Sequence, residues 1–373
     1  MQVREFLSVP SDNFRKDGPH INIVMSSRVR LARNLAGEPF PGWAKKSQRI
    51  ASLKKIRPSV EAISHMKNGF SDTMDNLNSL EKQVLVERHL ISKEHASKGR
   101  GSGIVLNKQQ NICVLINEED HLRIQVLKPG LQLKEAWKQI DALDTNLEKK
   151  LKYSFDSELG YLTACPTNLG TGIRVSAMLH LPGLVLSEQV NQVISAVNKL
   201  GLAVRGIYGE GSEALGNVFQ VSNQMTLGET EKEIVDRINK VLQQIIEHEE
   251  NARETLLENK PNMVFHQIGR AYGVLSNSYI ISSKETMNLL SFMRLGVELE
   301  IFGNLDRSLV DELFVATQPA HLQKNLTEKL SAEERDLLRA EILRDKFKGI
   351  EPPDPSRLKP VESENETENE EEN

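Results

Sequence analysis

Arginines and carboxylates set beside glycine turns, around a cysteine, are the residues of this chain whose types and spacing could do chemistry. The densest stretch is Gly160 to Arg174, GYLTACPTNLGTGIR, where Cys165 precedes a turn at Pro166 and Asn168, glycines at 170 and 172, and Arg174. Glycine lets backbone approach a ligand closely, proline and asparagine favour the turn, and a guanidinium offers phosphate a planar fork. No GK[ST] follows, so this is not a Walker-type loop. A buried thiol beside an ordinary tight bend is the plainer alternative.

The other arginines keep similar company. Arg28 and Arg30 follow a short strand expected at Ile21 to Met25, and in extended backbone they point to one side, either as a solvated basic edge or as holders of an anion. Asn117-Glu118-Glu119-Asp120 forms a tight turn, with Arg123 on the returning strand; acids at a hairpin tip are either simply solvated or free to act on a cation. The run from Val204 to Glu213, VRGIYGEGSE, sets Arg205, Glu210 and Glu213 in a glycine-rich loop. Arginines converging from Arg28, Arg30, Arg123, Arg174 and Arg205 suit a polyanion such as ATP. The carboxylates then serve another purpose. An acceptor guanidinium, with a pKa above about 12, needs carboxylates to orient it and to take its proton as nitrogen attacks phosphorus. A thiolate beside that cation would be stabilised by it.

These groups need a sizeable frame. With 373 residues, 39% hydrophobic and 27% charged, the chain is long enough for a large domain and a smaller one. The net charge of -5 is mild and much of it lies in the terminal ESENETENEEEN, which argues against nucleic acid or membrane as the primary partner. No signal peptide or apolar run of about 18 residues is visible. Two cysteines make neither a disulfide framework nor a cysteine-based zinc site, which fits a reducing cytoplasm. The nine histidines form no metal-ligand spacing.

Helices are expected at 47 to 66, 78 to 91 and 131 to 151, the last with Leu133, Ala136, Trp137, Ile140, Leu143 and Leu147 on one face. Gly69 to Asp75 is expected as a loop, and Ser187 as the cap of a helix through Val190, Ile194 and Val197. Strands are expected at 104 to 106, 112 to 116, 121 to 127, 175 to 181 and 218 to 222, and Thr230 with Glu233 boxes the start of a long helix. The fold class is therefore α+β, with a largely antiparallel sheet flanked by helices. From about Thr255 the pattern turns all-helical. There Ser282 and Glu285 open one helix, and Ser331 and Glu334 open another, on which Arg335 and Arg339 share a face with Asp336 nearby, either solvated or as an anion clamp. Four segments are expected: a lead-in at 1–20, a catalytic domain at 21–250, a helical domain at 255–350 and an acidic tail at 351–373.

SSRVRLARN, NEEDHLR, CPTNLGTGIR and RGIYGEGSE, in that order, resemble the catalytic domain of the phosphagen (guanidino) kinase superfamily. The resemblance implies ATP as phosphoryl donor, with Mg²⁺ held mainly through the phosphates and no dedicated protein metal site. Glu119, Cys165 and Glu210 look like the catalytic residues, with the division of labour between Glu210 and Glu213 open. The nucleotide-site residues implied are Ser26, Ser27, Arg28, Val29, Arg30, Arg88, His95, Arg123, Arg174, Val175, Ser176, Ala177, Met178, Arg205, Gly206, Ile207, Tyr208, Gly209 and Glu210. Only 25 residues precede SSRVR, where kinases of small phosphagens carry a helical domain, and Tyr208 departs from their loop pattern. Both departures, and the added helices, resemble the bacterial protein-arginine branch. In that branch RDxxRA marks a phosphoarginine pocket, matched here by Arg335, Asp336, Leu337, Leu338, Arg339 and Ala340. The resemblance further implies protein substrates with exposed arginine, a zinc-binding activator protein, delivery to a Clp chaperone-protease, and a homodimer or higher assembly. A small-guanidino kinase and a non-catalytic phosphoarginine-binding adaptor are the rival readings.

Overall fold

Alternation of small or apolar residues with arginines makes Val24–Arg33 (β1) two-faced, and this strand lies inside the main sheet. The computed structural model describes residues 17–206, 214–324, 326 and 329–357. The sheet has eight strands in the order β2-β3-β4-β5-β1-β8-β10-β9, and every pairing in it is antiparallel. In chain order these are β2 (Phe70–Thr73), β3 (Gly103–Leu106), β4 (Ile112–Ile116), β5 (Leu122–Pro129), β8 (Ile173–His180), β9 (Leu202–Gly206) and β10 (Val218–Asn223), with β6 (Phe155–Asp156) and β7 (Gly160–Tyr161) making a separate small hairpin. The helices are α1 (Lys46–Glu61), α2 (Ser79–Glu87), α3 (Lys93–Ala96), α4 (Leu133–Glu148), α5 (Pro182–Leu186), α6 (Val190–Lys199), α7 (Glu231–Asn259), α8 (Pro261–Asn277), α9 (Ser283–Glu298), α10 (Arg307–Ala316), α11 (Pro319–Gln323) and α12 (Ala332–Phe347). The α+β class, the antiparallel sheet and the helical C-terminal region follow the sequence pattern.

Strand alternation sorts the sheet into two faces. Val29, Leu31, Val175, Ala177, Ile124 and Val126 are buried in the core that α4 and α7 cover. Arg28, Arg30, Arg123, Arg174 and Ser176 point to the opposite face. A second cluster of C-terminal helices has its own core around Ile268, Leu290, Met293 and Leu313. Arg294 ties the two regions: its Nε donates to Asp311 (2.8 Å), and its terminal nitrogens donate to the carbonyls of Asn22 (2.8 Å) and Ile21 (2.6 Å).

Some local expectations change. Gly69 to Asp75 is not all loop, because Phe70 is buried and pairs with Leu106, which recruits β2 to the sheet edge. The helix expected to reach residue 91 stops at Glu87: Arg88 is its C-cap and His89 turns to φ 57°. Ser187 caps the C-terminus of α5 rather than opening α6. The interval 250 to 255, expected between two domains, lies inside α7, which runs unbroken for 29 residues from the Thr230–Glu233 capping box. Among the described residues no helix is long and apolar enough to cross a membrane.

Candidate active site

Register brings the arginines together. Arg30 of β1 lies directly opposite Arg174 of β8, Arg28 opposite Ser176, Ala32 opposite Arg123 of β5, and Gln220 of β10 opposite Arg205 of β9. Directly paired residues share a face, so these guanidinium groups line one cleft of about 430 Å³ together with Glu119, Asp120 and Cys165. Like charges at such spacing repel, and the cleft holds them partly desolvated. Burial, then Arg123 and Arg174, lowers the Arg28 pKa to about 10, and burial followed by Arg28 pushes Arg30 well below the ordinary guanidinium value. The buried Nε of Arg30 has no hydrogen-bond partner. Arg28 donates to Ser176 Oγ (3.3 Å) and Gln220 Oε1 (2.8 Å), neither of them charged.

The acidic turn is divided by its contacts. Glu118 is buried, accepts from Arg123 (2.5 Å) and from Ser92 Oγ, and so fixes Arg123 from below the cleft. Burial opposes its ionisation, but Arg123 and Ser92 outweigh that and hold its pKa low. Asp120 is also buried and accepts from Asn34 Nδ2 (2.6 Å) and the Ala164 amide (2.7 Å), anchoring the Cys165 loop. Glu119 alone of the three is exposed, and it faces the cleft. Desolvation and then the neighbouring Asp120 raise its pKa. Among these acids it is the one placed to receive a proton from a ligand.

Cys165 is half-buried at the start of a short 3-10 turn, with Sγ 3.0 Å from Thr167 Oγ1. Gly170 (φ 104°) is a required glycine, since a Cβ there would lie 2.6 Å from the Thr226 carbonyl oxygen. The loop base is pinned by Arg33, which donates to the Thr171 carbonyl (2.8 Å), pairs with Asp144 (2.7 Å) and stacks over Tyr161.

Several expected nucleotide-site residues sit elsewhere. The side chains of Val29, Val175 and Ala177 are in the core, and Ser27 Oγ donates to the Gly130 carbonyl (2.7 Å), so these four could contribute only backbone. Arg88 is buried outside the arginine cleft, bonded to His321 Nε2 (3.2 Å) and Gln110 Oε1 (2.7 Å). His95 is wholly buried against the Gly103 carbonyl (3.0 Å), because Ser92 caps α3 and turns the ring inward. His89 lines the cleft instead, with its pKa lowered to about 4 by burial and then by Arg28. The apolar pattern gives no sign of it: Val84 and Ile91 are seven apart, the spacing of one continuous helical face, so the stop before His89 does not show in the periodicity. Ile207, Tyr208, Gly209, Glu210 and Glu213 lie outside the described residues. Among those described, no group of three or more His, Cys, Asp or Glu could hold a metal.

The RDxxRA stretch departs from a two-arginine clamp. Arg339 is 1% exposed, donates to the carbonyls of Thr317 (2.8 Å) and Ile281 (2.8 Å), and pairs with Asp336. Ala340 is core, Leu338 is half-buried, Leu337 is exposed, and half-buried Arg335 donates to the Leu330 carbonyl (2.7 Å).

Residues 53–252 match the family model described as ATP:guanido phosphotransferase, C-terminal catalytic domain, and residues 261–358 match the protein-arginine kinase McsB C-terminal domain. A protein-arginine kinase of Halothermothrix orenii is 47% identical over 88% of this chain and 93% of its own length. The chain belongs to the protein-arginine kinase family. Another protein-arginine kinase, from Geobacillus sp. (strain WCH70), is 46% identical over 92% of this chain and 95% of its own. Among solved structures, the substrate-free duplicated taurocyamine kinase of Schistosoma mansoni aligns with TM-score 0.55 at 26% identity, over 71% of this chain and 42% of that one. A lombricine kinase crystal structure aligns with TM-score 0.56 at 23% identity, over 68% of this chain and 76% of that one, and shows the shared fold. The chain is thus a guanidino phosphotransferase built on a phosphagen-kinase-like sheet, and its helices from Pro261 onward match the C-terminal domain of protein-arginine kinases.

Proposed function

We propose that this chain transfers the γ-phosphoryl group of ATP to the guanidinium of arginine residues in proteins. The observation that carries it is a set of arginines in which neither Arg28 nor Arg30 makes an ion pair among the described residues, buried Glu118 acting on Arg30 only at longer range, in the same cleft as Glu119 and Cys165. A cation cluster of this kind fits an anionic ligand, and preorganised guanidinium groups stabilise charge on a transferring phosphoryl group. In the step itself, a guanidinium nitrogen of the target bonds to the γ-phosphorus, the bond to the β-bridging oxygen breaks, and ADP leaves. Glu119 takes the nitrogen's proton, a role favoured by its raised pKa. Cys165 and Glu210 orient the guanidinium. Arg28, Arg30, Arg123, Arg174 and Arg205 hold the phosphates, with Ser26, Ser176, Met178 and His89 alongside. Because Glu118 and Asp120 are already engaged, Mg²⁺ fits as an ion carried on the phosphates, where it would neutralise their charge.

Further proposals rest on the family resemblance: a catalytic region at 21–250 and a helical region at 255–350, cytoplasmic placement, self-association, a zinc-binding activator, and delivery of marked proteins to a Clp-type protease. For phosphoarginine at RDxxRA, Arg335 and Asp336 are the charged members that keep accessible surface. ATP with free arginine against ATP with an arginine-rich protein, scored for acid-labile phosphate, tests the main reading. Phosphate on the protein alone supports it. Phosphate on free arginine alone makes the chain a small-guanidino kinase, and none on either, with phosphoarginine bound, makes it an adaptor.

A further inference from the structure

At Arg28 and His89 the phosphate cleft adjoins a second compartment of opposite character. The sheet contributes Met25, Leu127 and Met178 to it. The far wall comes from the C-terminal helices: Met287 of α9, Phe314 and Val315 of α10, and Gln318 just beyond. A cluster of cations opening onto an apolar slot is the shape of an amphiphilic ligand, an anionic chain continued by a flat heterocycle. We propose that the C-terminal helices build one wall of the base pocket, so that the purine of ATP lies between Met178 on the sheet and Met287, Phe314 and Val315, with the Gln318 amide at its edge. This rests on reading the arginine cluster as the triphosphate site.

Three features favour it. The compartment is narrow, about 50 Å³, but its walls carry Met25, Met178 and Met287, unbranched thioethers that re-pack around a planar guest. Gln318 brings an amide to the slot, where Nε2 now donates to the Phe314 carbonyl (2.9 Å) and to Met287 Sδ (3.1 Å); an amide offers both donor and acceptor to a base edge. The two walls are also fastened at one corner. Glu87 accepts from the amides of Ala320 (2.8 Å) and His321 (3.0 Å) and from His321 Nδ1 (2.7 Å), while Arg88 Nε donates to His321 Nε2 (3.2 Å). The turn that places His89 is thereby held to α11. Binding of a base would move α9 and α10 against a fixed corner, so the helical region would register the nucleotide directly.

The test narrows the slot with Val315→Trp, at a half-buried position. The expected result is a rise in KM for ATP of about tenfold, the scale on which an apolar pocket discriminates by size, with inhibition by inorganic tripolyphosphate unchanged. No change in KM, or parallel weakening of ATP and tripolyphosphate, overturns the proposal. Arg30→Met is run beside it: loss of both ligands upholds the triphosphate site independently, and retention of both means that the underlying reading, not the base pocket alone, has failed. Should Val315→Trp not fold, photolabelling of the wild-type chain with 8-azido-ATP decides. Peptides labelled between Met287 and Gln318 support the proposal, and labels confined to the sheet overturn it.

Discussion

Among the described residues, the desolvated arginines of the cleft and those buried among the C-terminal helices differ in what faces them. Arg294 and Arg339 are fully buried, and carboxylates and carbonyls surround them: Asp311, Asn22 and Ile21 for the first, Asp336, Thr317 and Ile281 for the second. Arg28 and Arg30 keep some exposed surface, yet they face Arg123 and Arg174, with only Glu118 acting against that repulsion at Arg30, and a donor of Arg30 goes unmatched. Depth of burial does not mark a binding residue. What marks it here is like charges crowded together without ion pairs of their own, an arrangement that a ligand of opposite sign would stabilise.

The contrast can be broken by experiment. The largest effect is expected at the proton acceptor facing the cations: Glu119→Gln should lower kcat by about 10²–10⁴-fold with KM for ATP little changed, and a loss of only a few-fold would remove Glu119 from its role. Because its pKa is raised, the rate should fall as acid protonates the carboxylate at a pH above the ordinary glutamate value, and the variant's residual rate should lack that limb. Next, Arg294→Met should cost about 3 kcal/mol of stability, the low end for breaking a buried pair because Arg307 still faces Asp311 (2.6 Å); thermal melting measures it. Arg30→Met should do the reverse. It should weaken ATP binding by about 10- to 100-fold, as expected for losing a charge-assisted hydrogen bond, while melting stays level or rises because a repelling charge is gone. A drop in melting temperature matching that of Arg294→Met would erase the distinction between the two sets. The smallest effect is expected for Glu118→Gln, whose amide oxygen can still accept from Arg123 but without the charge: a rise in KM for ATP of about fivefold, with kcat nearly kept.

Much of the sheet and the cleft was legible because the information is local. Arg28 and Arg30 two apart on a strand, and Glu119 at a hairpin tip, need only period-two alternation and a turn to be placed. Pairing Arg30 with Arg174 needed register between strands far apart in sequence, which the motifs suggested but alternation alone could not give. What escaped was of two kinds. Short elements lack a pattern long enough to read, which hid the four-residue β2 and the early end of α2, and with it His89. The fate of Arg339 was hidden differently: its spacing to Arg335 is right for one helical face, but the carbonyls that absorb it come from Ile281 and Thr317, 58 and 22 residues away. The apolar slot beside the phosphates is likewise assembled from strands and helices that share no stretch of sequence.

The unbroken course of α7 has a geometric consequence. The match to the catalytic family ends at residue 252, inside the helix, one residue before Arg253, whose Nε pairs with Glu249 (2.7 Å) while Glu249 accepts the amides of Gly183 (2.8 Å) and Leu184 (2.9 Å). The helical region therefore joins the sheet through continued winding rather than a tether, and its azimuth is set by residue count. Deleting one residue near 255 would turn everything beyond it by about 100°. The length of that helix is in this sense a coordinate of the molecule, as constrained as any side chain in the cleft.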